Sequence, residues 1–144
     1  MFREADIRAP FETGGVLLGI ADHEHLWIEA VVGPGPAARH GRTWFLPDAA
    51  FQQDRITELY EASGRRIAYL GDWHTHPGGS ASLSWRDRRT LRKISHTPAA
   101  RQSRPVMLIL GDGTPWRPSL WRYLPAPWYQ RGTRFTQVSL SIIS

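Results

Sequence analysis

A mostly apolar run that leads into two histidines one position apart constrains this chain more than any other feature of its sequence. Residues 66–70 are bounded by turn-forming residues, which predicts a buried strand. If that strand continues to His76, the side chains of His74 and His76 point to the same face, because strand side chains alternate with period two. Two imidazoles on one face at the carboxyl end of a strand form half of a metal site.

A glycine-rich turn and the start of a helix follow these histidines. Residues 77–80 break the strand, and Ser84 has the position of a helix N-cap. Ser84 and Asp87 show the S-x-x-D spacing of a capping box, which gives both residues a structural role. The alternative is that Asp87, in the first turn of the helix, faces back toward the histidines as a third metal ligand. The combination of H-x-H, seven intervening residues and S-x-x-D favours the metal site.

This pattern resembles the signature of the JAMM (JAB/MPN) zinc metalloproteases. The resemblance is carried by the His74-Thr75-His76-Pro77 segment, by Ser84 and Asp87, and by an upstream glutamate, Glu12, that precedes a glycine-punctuated apolar run. Residues 44–48 and 69–73 are also similar to compact bacterial members of the family. Those members are found with ubiquitin-like conjugation machinery, including antiviral defence operons. The resemblance covers roughly residues 10–125 of the chain.

The resemblance implies a catalytic zinc centre. His74, His76 and Asp87 would hold Zn²⁺, and three protein ligands leave a fourth tetrahedral position for water. Glu12 would act as the general base, and Ser84 would stabilise the oxyanion. The implied reaction is hydrolysis of the amide bond after the carboxyl terminus of a ubiquitin-like protein, in a lysine conjugate or in a precursor. The implied partners are that ubiquitin-like protein, its conjugates and the cognate activating (E1-like) and conjugating (E2-like) enzymes.

The remaining sequence predicts a single α/β domain over residues 1–144. The resemblance implies the MPN fold, which is cytidine-deaminase-like and has a central mixed sheet flanked by helices. Apolar and alternating runs predict strands, and capping and stop signals predict helices. The predicted strands are 16–20, 26–32, 42–46, 66–76, 105–110, 119–124 and 133–143, and the predicted helices are 48–63 and 84–94, after a helical turn before Pro10.

Three further histidines lie outside this pattern. His23 and His25 also form an H-x-H pair, but no helical carboxylate follows them. A solvated hairpin turn is the better interpretation of that pair. His40 lies in a loop that begins with a Gly-Pro-Gly-Pro segment, and we expect its side chain to be exposed.

The composition excludes several kinds of chemistry and location. The chain contains no cysteine, so a cysteine nucleophile and a thiolate zinc site are excluded. No run approaches the roughly 20 apolar residues that a transmembrane helix requires, and the first residues do not resemble a signal peptide. We therefore expect a cytoplasmic protein without a membrane partner.

Two other function classes fit part of the sequence. A non-catalytic MPN-type scaffold would keep the fold and bind partner proteins, although such scaffolds usually lose a ligand or the glutamate. A nucleic-acid-binding domain would use the net charge of +5 and the arginine-rich helix predicted at 84–94. That second alternative leaves the histidines and acidic residues unexplained, so we do not expect nucleic acid as a partner.

Overall fold

The computed structural model describes residues 1–143, and it has the α/β architecture with a central mixed sheet that the sequence predicts. In chain order the elements are α1 (Phe2–Arg8), β1 (Gly14–Ala21), β2 (Leu26–Val32), β3 (Arg39–His40), β4 (Phe45–Leu46), α2 (Ala49–Ala62), β5 (Ala68–His76), α3 (Trp85–Ser95), β6 (Val106–Gly111), β7 (Arg117–Pro125) and β8 (Thr133–Val138), with a 3-10 turn at Pro98–Ala100.

The main sheet places the histidine-bearing strand in its interior. Its six strands have the order β2-β1-β5-β6-β7-β8. β5 pairs with β6 in parallel and with β1 in antiparallel orientation, so both of its edges are hydrogen-bonded. β3 and β4 form a separate antiparallel pair, which together with the turn between them we call the 39–46 hairpin. Because β5 has no free edge, the side chains at its carboxyl end are held by a rigid backbone.

Alternation along the strands divides the core between the two faces of the sheet. On one face, Leu17, Trp73 and Leu108 belong to a buried cluster that also contains Ala5 of α1. On the other face there are two clusters, formed by the residues that alternate with these along the strands. Val16 and Leu18 pack with side chains of α2, whereas Met107 and Ile109 pack with Leu91 of α3. β5 runs between these two clusters, so the middle of the helix-covered face is a cleft rather than packed core.

The helices next to the cleft begin and end where the sequence signals predict. Asp48 is the N-cap of α2, since its carboxylate accepts a hydrogen bond from the Phe51 N–H at 3.1 Å. Gly64 follows this helix with φ +67°, a left-handed conformation that glycine adopts without strain. Ser84 is the N-cap of α3.

Two of the predicted strands differ from the structure. The predicted strand at 42–46 is instead the second half of the 39–46 hairpin, because residues 41–44 form a turn between two short strands. The final strand ends at Val138 and not at Ile143, since the residues after 138 pair with no other strand. The last residue of the predicted domain, Ser144, lies outside the described part of the chain.

Within residues 1–143, every helix is too short or too polar to cross a bilayer.

Candidate metal centre

The carboxyl end of β5 and the first turn of α3 bring three metal-ligating side chains together. Nitrogen atoms of His74 and His76 and a carboxylate oxygen of Asp87 all lie within 4.8 Å of one another. His74 and Asp87 are each only 8% exposed, so little solvent separates the donors. The structure therefore brings together the three residues that the sequence predicts as ligands.

The separations between the donor atoms fit one bound cation. The Nε2 atoms of His74 and His76 are 2.9 Å apart. Asp87 Oδ1 lies 3.2 Å from His74 Nε2, and Asp87 Oδ2 lies 3.5 Å from His76 Nε2. Two donors at the zinc–nitrogen distance from one tetrahedral ion would be roughly 3.4 Å apart. This separation lies within the range of the three observed distances, 2.9 to 3.5 Å. Imidazole and carboxylate groups are donors that zinc and related divalent ions prefer.

A hydrogen bond from the loop after β5 sets the tautomer of His76. Its Nδ1 atom lies 2.8 Å from the carbonyl oxygen of Ser80. A carbonyl oxygen only accepts hydrogen bonds, so Nδ1 carries the hydrogen and donates it. In the neutral ring the Nε2 lone pair is then available to a metal ion, which is the usual arrangement around ligating histidines.

Asp87 has both of the roles that the sequence leaves open. Its N–H donates to Ser84 Oγ at 3.2 Å, and its Oδ2 accepts from the Ser84 N–H at 2.7 Å, which together make a capping box. The same carboxylate faces His74 and His76. The capping box therefore orients the carboxylate toward the histidines, and the two interpretations are compatible.

Hydrogen bonds and burial at the site shift the pKa values of Asp87 and His76. Burial alone would raise the pKa of Asp87, but hydrogen bonds from His74, His76 and the Ser84 N–H lower it overall. Burial alone would lower the pKa of His76, but its hydrogen bonds to Asp87 and to the Ser80 carbonyl raise it overall. The carboxylate is thus kept ionised, as a metal ligand must be.

Glu12 lies in the same cleft as the three donors. The register between β1 and β5 pairs Gly14 with His74, and continuing it places Glu12 opposite His76. Burial raises the pKa of the Glu12 carboxyl, and the nearby imidazoles oppose that shift. The structure therefore places the predicted general base beside the donors, on the opposite side of the cleft from α3.

A glycine two positions after Glu12 allows the close approach of the neighbouring elements at this point. A Cβ atom at Gly14 would lie 2.4 Å from the Trp73 carbonyl oxygen and 2.6 Å from the Phe45 ring. The start of β1 passes between β5 and the 39–46 hairpin at this point. A larger residue at position 14 would force these elements apart.

The expectation that His40 is exposed is wrong. Its ring is half-buried, stacks at 6.4 Å on Phe45 and has its Nδ1 atom 2.8 Å from the carbonyl oxygen of Glu12. The loop composition around His40 suggested solvent exposure, but pairing between β3 and β4 turns the side chain inward. By contrast, His23 and His25 are exposed in the turn between β1 and β2, as predicted.

The cleft has lining residues beyond the predicted ligands, general base and oxyanion donor. It has a volume of about 460 Å³, and Trp44, Trp85, Arg86 and Asp72 are among its walls. Asp72 precedes His74 by two positions, so the period-two rule could have placed it on the same face. The Tyr69 hydroxyl donates to its carboxylate at 2.8 Å, and burial raises the pKa of Asp72.

An α/β fold with two histidines, an aspartate and a half-buried glutamate around one cleft defines a protein of the metal-dependent hydrolase type. Residues 1–123 match the family described as prokaryotic homologs of the JAB domain. The chain therefore belongs to this family, and the predicted class of JAMM-type hydrolase is confirmed.

Relatives agree with this assignment, and a solved structure has a similar fold. The chain is 40% identical over 124 residues to the probable metalloprotease y4qB of Sinorhizobium fredii, which covers 84% of this chain and 76% of that protein. It is 36% identical over 107 residues to a CD-NTase/cGAS isopeptidase of Escherichia coli, which covers 73% of this chain but only 65% of the relative. The fold is similar to the solution structure of DSY2949 from Desulfitobacterium hafniense, with a TM-score of 0.64, 20% identity, and coverage of 94% of this chain and 82% of that one.

Proposed function

We propose that this protein is a zinc-dependent isopeptidase or peptidase that cleaves the amide bond after the carboxyl terminus of a ubiquitin-like protein. The observation that carries the proposal is the convergence of His74, His76 and Asp87 in a cleft that also contains Glu12. Names of the relatives support the same reaction type, since they include a metalloprotease and an isopeptidase.

His74, His76 and Asp87 would hold the ion and leave one position open, as in catalytic zinc sites. When bound, zinc supplies Lewis acidity that activates water near neutral pH and polarises a carbonyl group. The protein contributes the fixed orientation of the donors. The Ser80 carbonyl orients His76, and the capping box orients Asp87.

Glu12 would move the proton. Its carboxylate would accept a proton from the attacking water and then deliver that proton to the leaving amine. Partial burial makes the carboxylate a stronger base, because burial raises its pKa. A general base is most effective when its pKa lies near the working pH, so this shift has the useful direction.

Ser84 would stabilise the oxyanion that forms when water attacks the carbonyl. Its oxygen accepts the Asp87 N–H, and an accepting hydroxyl keeps its own hydrogen free to donate. The capping role of Ser84 is therefore compatible with a hydrogen bond to the oxyanion. A single donor of this kind is typically worth about 10²–10³ in kcat.

The substrate would enter as an extended chain between two tryptophans. Trp44 on the 39–46 hairpin is 47% exposed and Trp85 at the start of α3 is 65% exposed, and both line the cleft. The 39–46 hairpin lies apart from the main sheet, and a peptide that pairs beside Trp44 would reach the donors in extended form. A ubiquitin-like carboxyl-terminal tail is a segment of this kind. Cognate activating and conjugating enzymes in a defence pathway would supply the conjugates.

A metal-replacement and cleavage experiment tests this function. The substrates are ubiquitin-like proteins joined through the carboxyl terminus to a lysine side chain, and an isopeptide-linked conjugate of a CD-NTase, the protein in the names of several relatives. We expect cleavage that is lost with a chelator, restored by Zn²⁺, and lost in Glu12→Gln while bound zinc is retained. A non-catalytic scaffold would bind these partners without cleaving them, and equal activity in Glu12→Gln would contradict the mechanism.

A further inference from the structure

Both backbone polar groups of Glu12 are bonded to neighbouring residues of the 39–46 hairpin. The Glu12 N–H donates to the Gly41 carbonyl oxygen at 2.8 Å. The Glu12 carbonyl oxygen accepts from His40 Nδ1, also at 2.8 Å. Glu12 lies two residues before the first main-sheet pairing of β1, and its backbone is thus held from two sides by a hairpin outside that sheet.

The same hairpin forms part of the cleft wall. The Gly41 N–H donates to the Trp44 carbonyl oxygen at 2.8 Å, which closes the turn. Thr43, Trp44 and Phe45 all line the cleft. The hairpin therefore connects a substrate-facing surface to the backbone of Glu12 through a short chain of hydrogen bonds.

His40 makes its contact with Glu12 at an energetic cost. Its Nε2 atom is buried and has no hydrogen-bond partner within the described residues. An unsatisfied buried polar atom destabilises the folded state, and an apolar residue at this position would avoid that cost. In return, the histidine donates a hydrogen bond from Nδ1 to the Glu12 carbonyl oxygen, which an apolar side chain could not do.

We propose that His40 is a positioning residue for Glu12. The Nδ1–H of His40 fixes the backbone of Glu12, from which the side chain of the general base reaches the cleft. The proposal rests on the catalytic role proposed above for Glu12. His40 lies behind the base and contacts it through the main chain, so it affects the rate of proton transfer and not the binding of metal or substrate. A misplacement of about 1 Å in a reacting group can cost on the order of 10² in rate.

The test compares two amide variants, His40→Asn and His40→Gln. The amide nitrogen of asparagine occupies the position of Nδ1, whereas the longer glutamine places its amide near Nε2. We expect His40→Asn to keep kcat within about threefold and His40→Gln to lose about 10- to 100-fold in kcat. KM and zinc content remain at wild-type values in both. His23→Gln, which changes an exposed histidine, is the matched control and keeps full activity.

A measurement without catalysis accompanies the kinetics. Amide hydrogen exchange of Glu12 reports the bond to Gly41, and we expect faster exchange in His40→Gln than in His40→Asn. Equal kcat and equal exchange in the two variants would overturn the positioning role. Loss of zinc or of folding in His40→Gln but not in His40→Asn would also overturn it, because His40 would then be a structural residue. Glu12→Gln is measured in parallel: if it is fully active, the proposed function fails, whereas an inactive Glu12→Gln beside an unaffected His40→Gln contradicts only the role of His40.

Discussion

The metal-donor half of the cleft and the Glu12 half are held in different ways. His74 and His76 extend from a strand bonded on both edges, and Asp87 lies in the capping box of a regular helix. Glu12 precedes its strand and is bonded to the 39–46 hairpin, whose strands have only two residues each. The first half depends on regular secondary structure, and the second depends on individual hydrogen bonds.

This difference matches what each half has to do. Ligands that are already oriented before the metal ion binds strengthen its binding, and buried ligands on paired backbone provide this orientation. A proton-transfer group must reach first the water and then the leaving amine, which requires a carboxylate that is open to the cleft and a well-placed backbone. Substitutions in the first half should therefore remove metal, whereas substitutions in the second half should slow turnover and leave metal bound.

The largest effect is expected from His74→Ala. Losing a group that only orients a metal ligand costs up to about 100-fold in metal affinity. Removing one of the three ligands themselves should therefore lower zinc affinity by more than about 100-fold. Zinc content after dialysis and cleavage rate are the measurements, and both should fall together. His25→Ala, which removes an exposed histidine, is the control. Zinc retained at one equivalent in His74→Ala would contradict the donor assignment.

Ser84 joins the two halves, and two substitutions separate its roles. Ser84→Ala removes the hydroxyl and should also cost about 1 kcal/mol of stability through the lost cap. Ser84→Gly removes the same hydroxyl, but glycine is a good N-cap and costs only a few tenths. We expect kcat to fall by roughly 10²-fold in both variants, with a drop in the free energy of unfolding only for alanine. A glycine variant with wild-type kcat would leave Ser84 a capping residue alone.

The sequence predicted the donor half well and the Glu12 half only in part. Alternation along one strand and a capping box are local patterns, so His74, His76 and Asp87 could be placed from spacing. The 39–46 hairpin has strands too short to show any periodicity, and its inward-facing His40 depends on a distant contact with Glu12. The position of Glu12 followed from the family resemblance, because no local pattern identifies a base that precedes a strand.

Trp44 should affect substrate binding rather than turnover. We expect Trp44→Ala to raise KM by about tenfold, since tryptophan is enriched among the side chains whose removal from a binding surface costs more than about 1 kcal/mol. Trp27→Ala is the matched control, because Trp27 is similarly exposed at 43% but lies on β2 outside the cleft lining. Steady-state kinetics of both variants give the comparison. An unchanged KM with a lower kcat in Trp44→Ala would instead show that Trp44 helps to position Glu12 and does not bind the substrate.

The smallest effect is a pH dependence of stability in the zinc-free protein. The raised pKa of His76 stabilises the fold below its ordinary value of 6.5, and this contribution is lost as pH rises through the folded-state pKa. The lowered pKa of Asp87 stabilises the fold above its ordinary value of 3.8, and that contribution is lost as pH falls through the folded-state pKa. The pair therefore contributes most between these two ordinary values.

Urea unfolding with a chelator at pH 5.5 and pH 8 measures this contribution. We expect the free energy of unfolding attributable to the pair to be smaller at pH 8, by on the order of 1 kcal/mol. His76→Gln should remove that part of the difference between the two pH values, because glutamine does not titrate. Zinc should reverse the trend, since binding requires unprotonated imidazoles and strengthens as pH rises. A wild-type pH difference that persists unchanged in His76→Gln would assign it to groups outside the donor half.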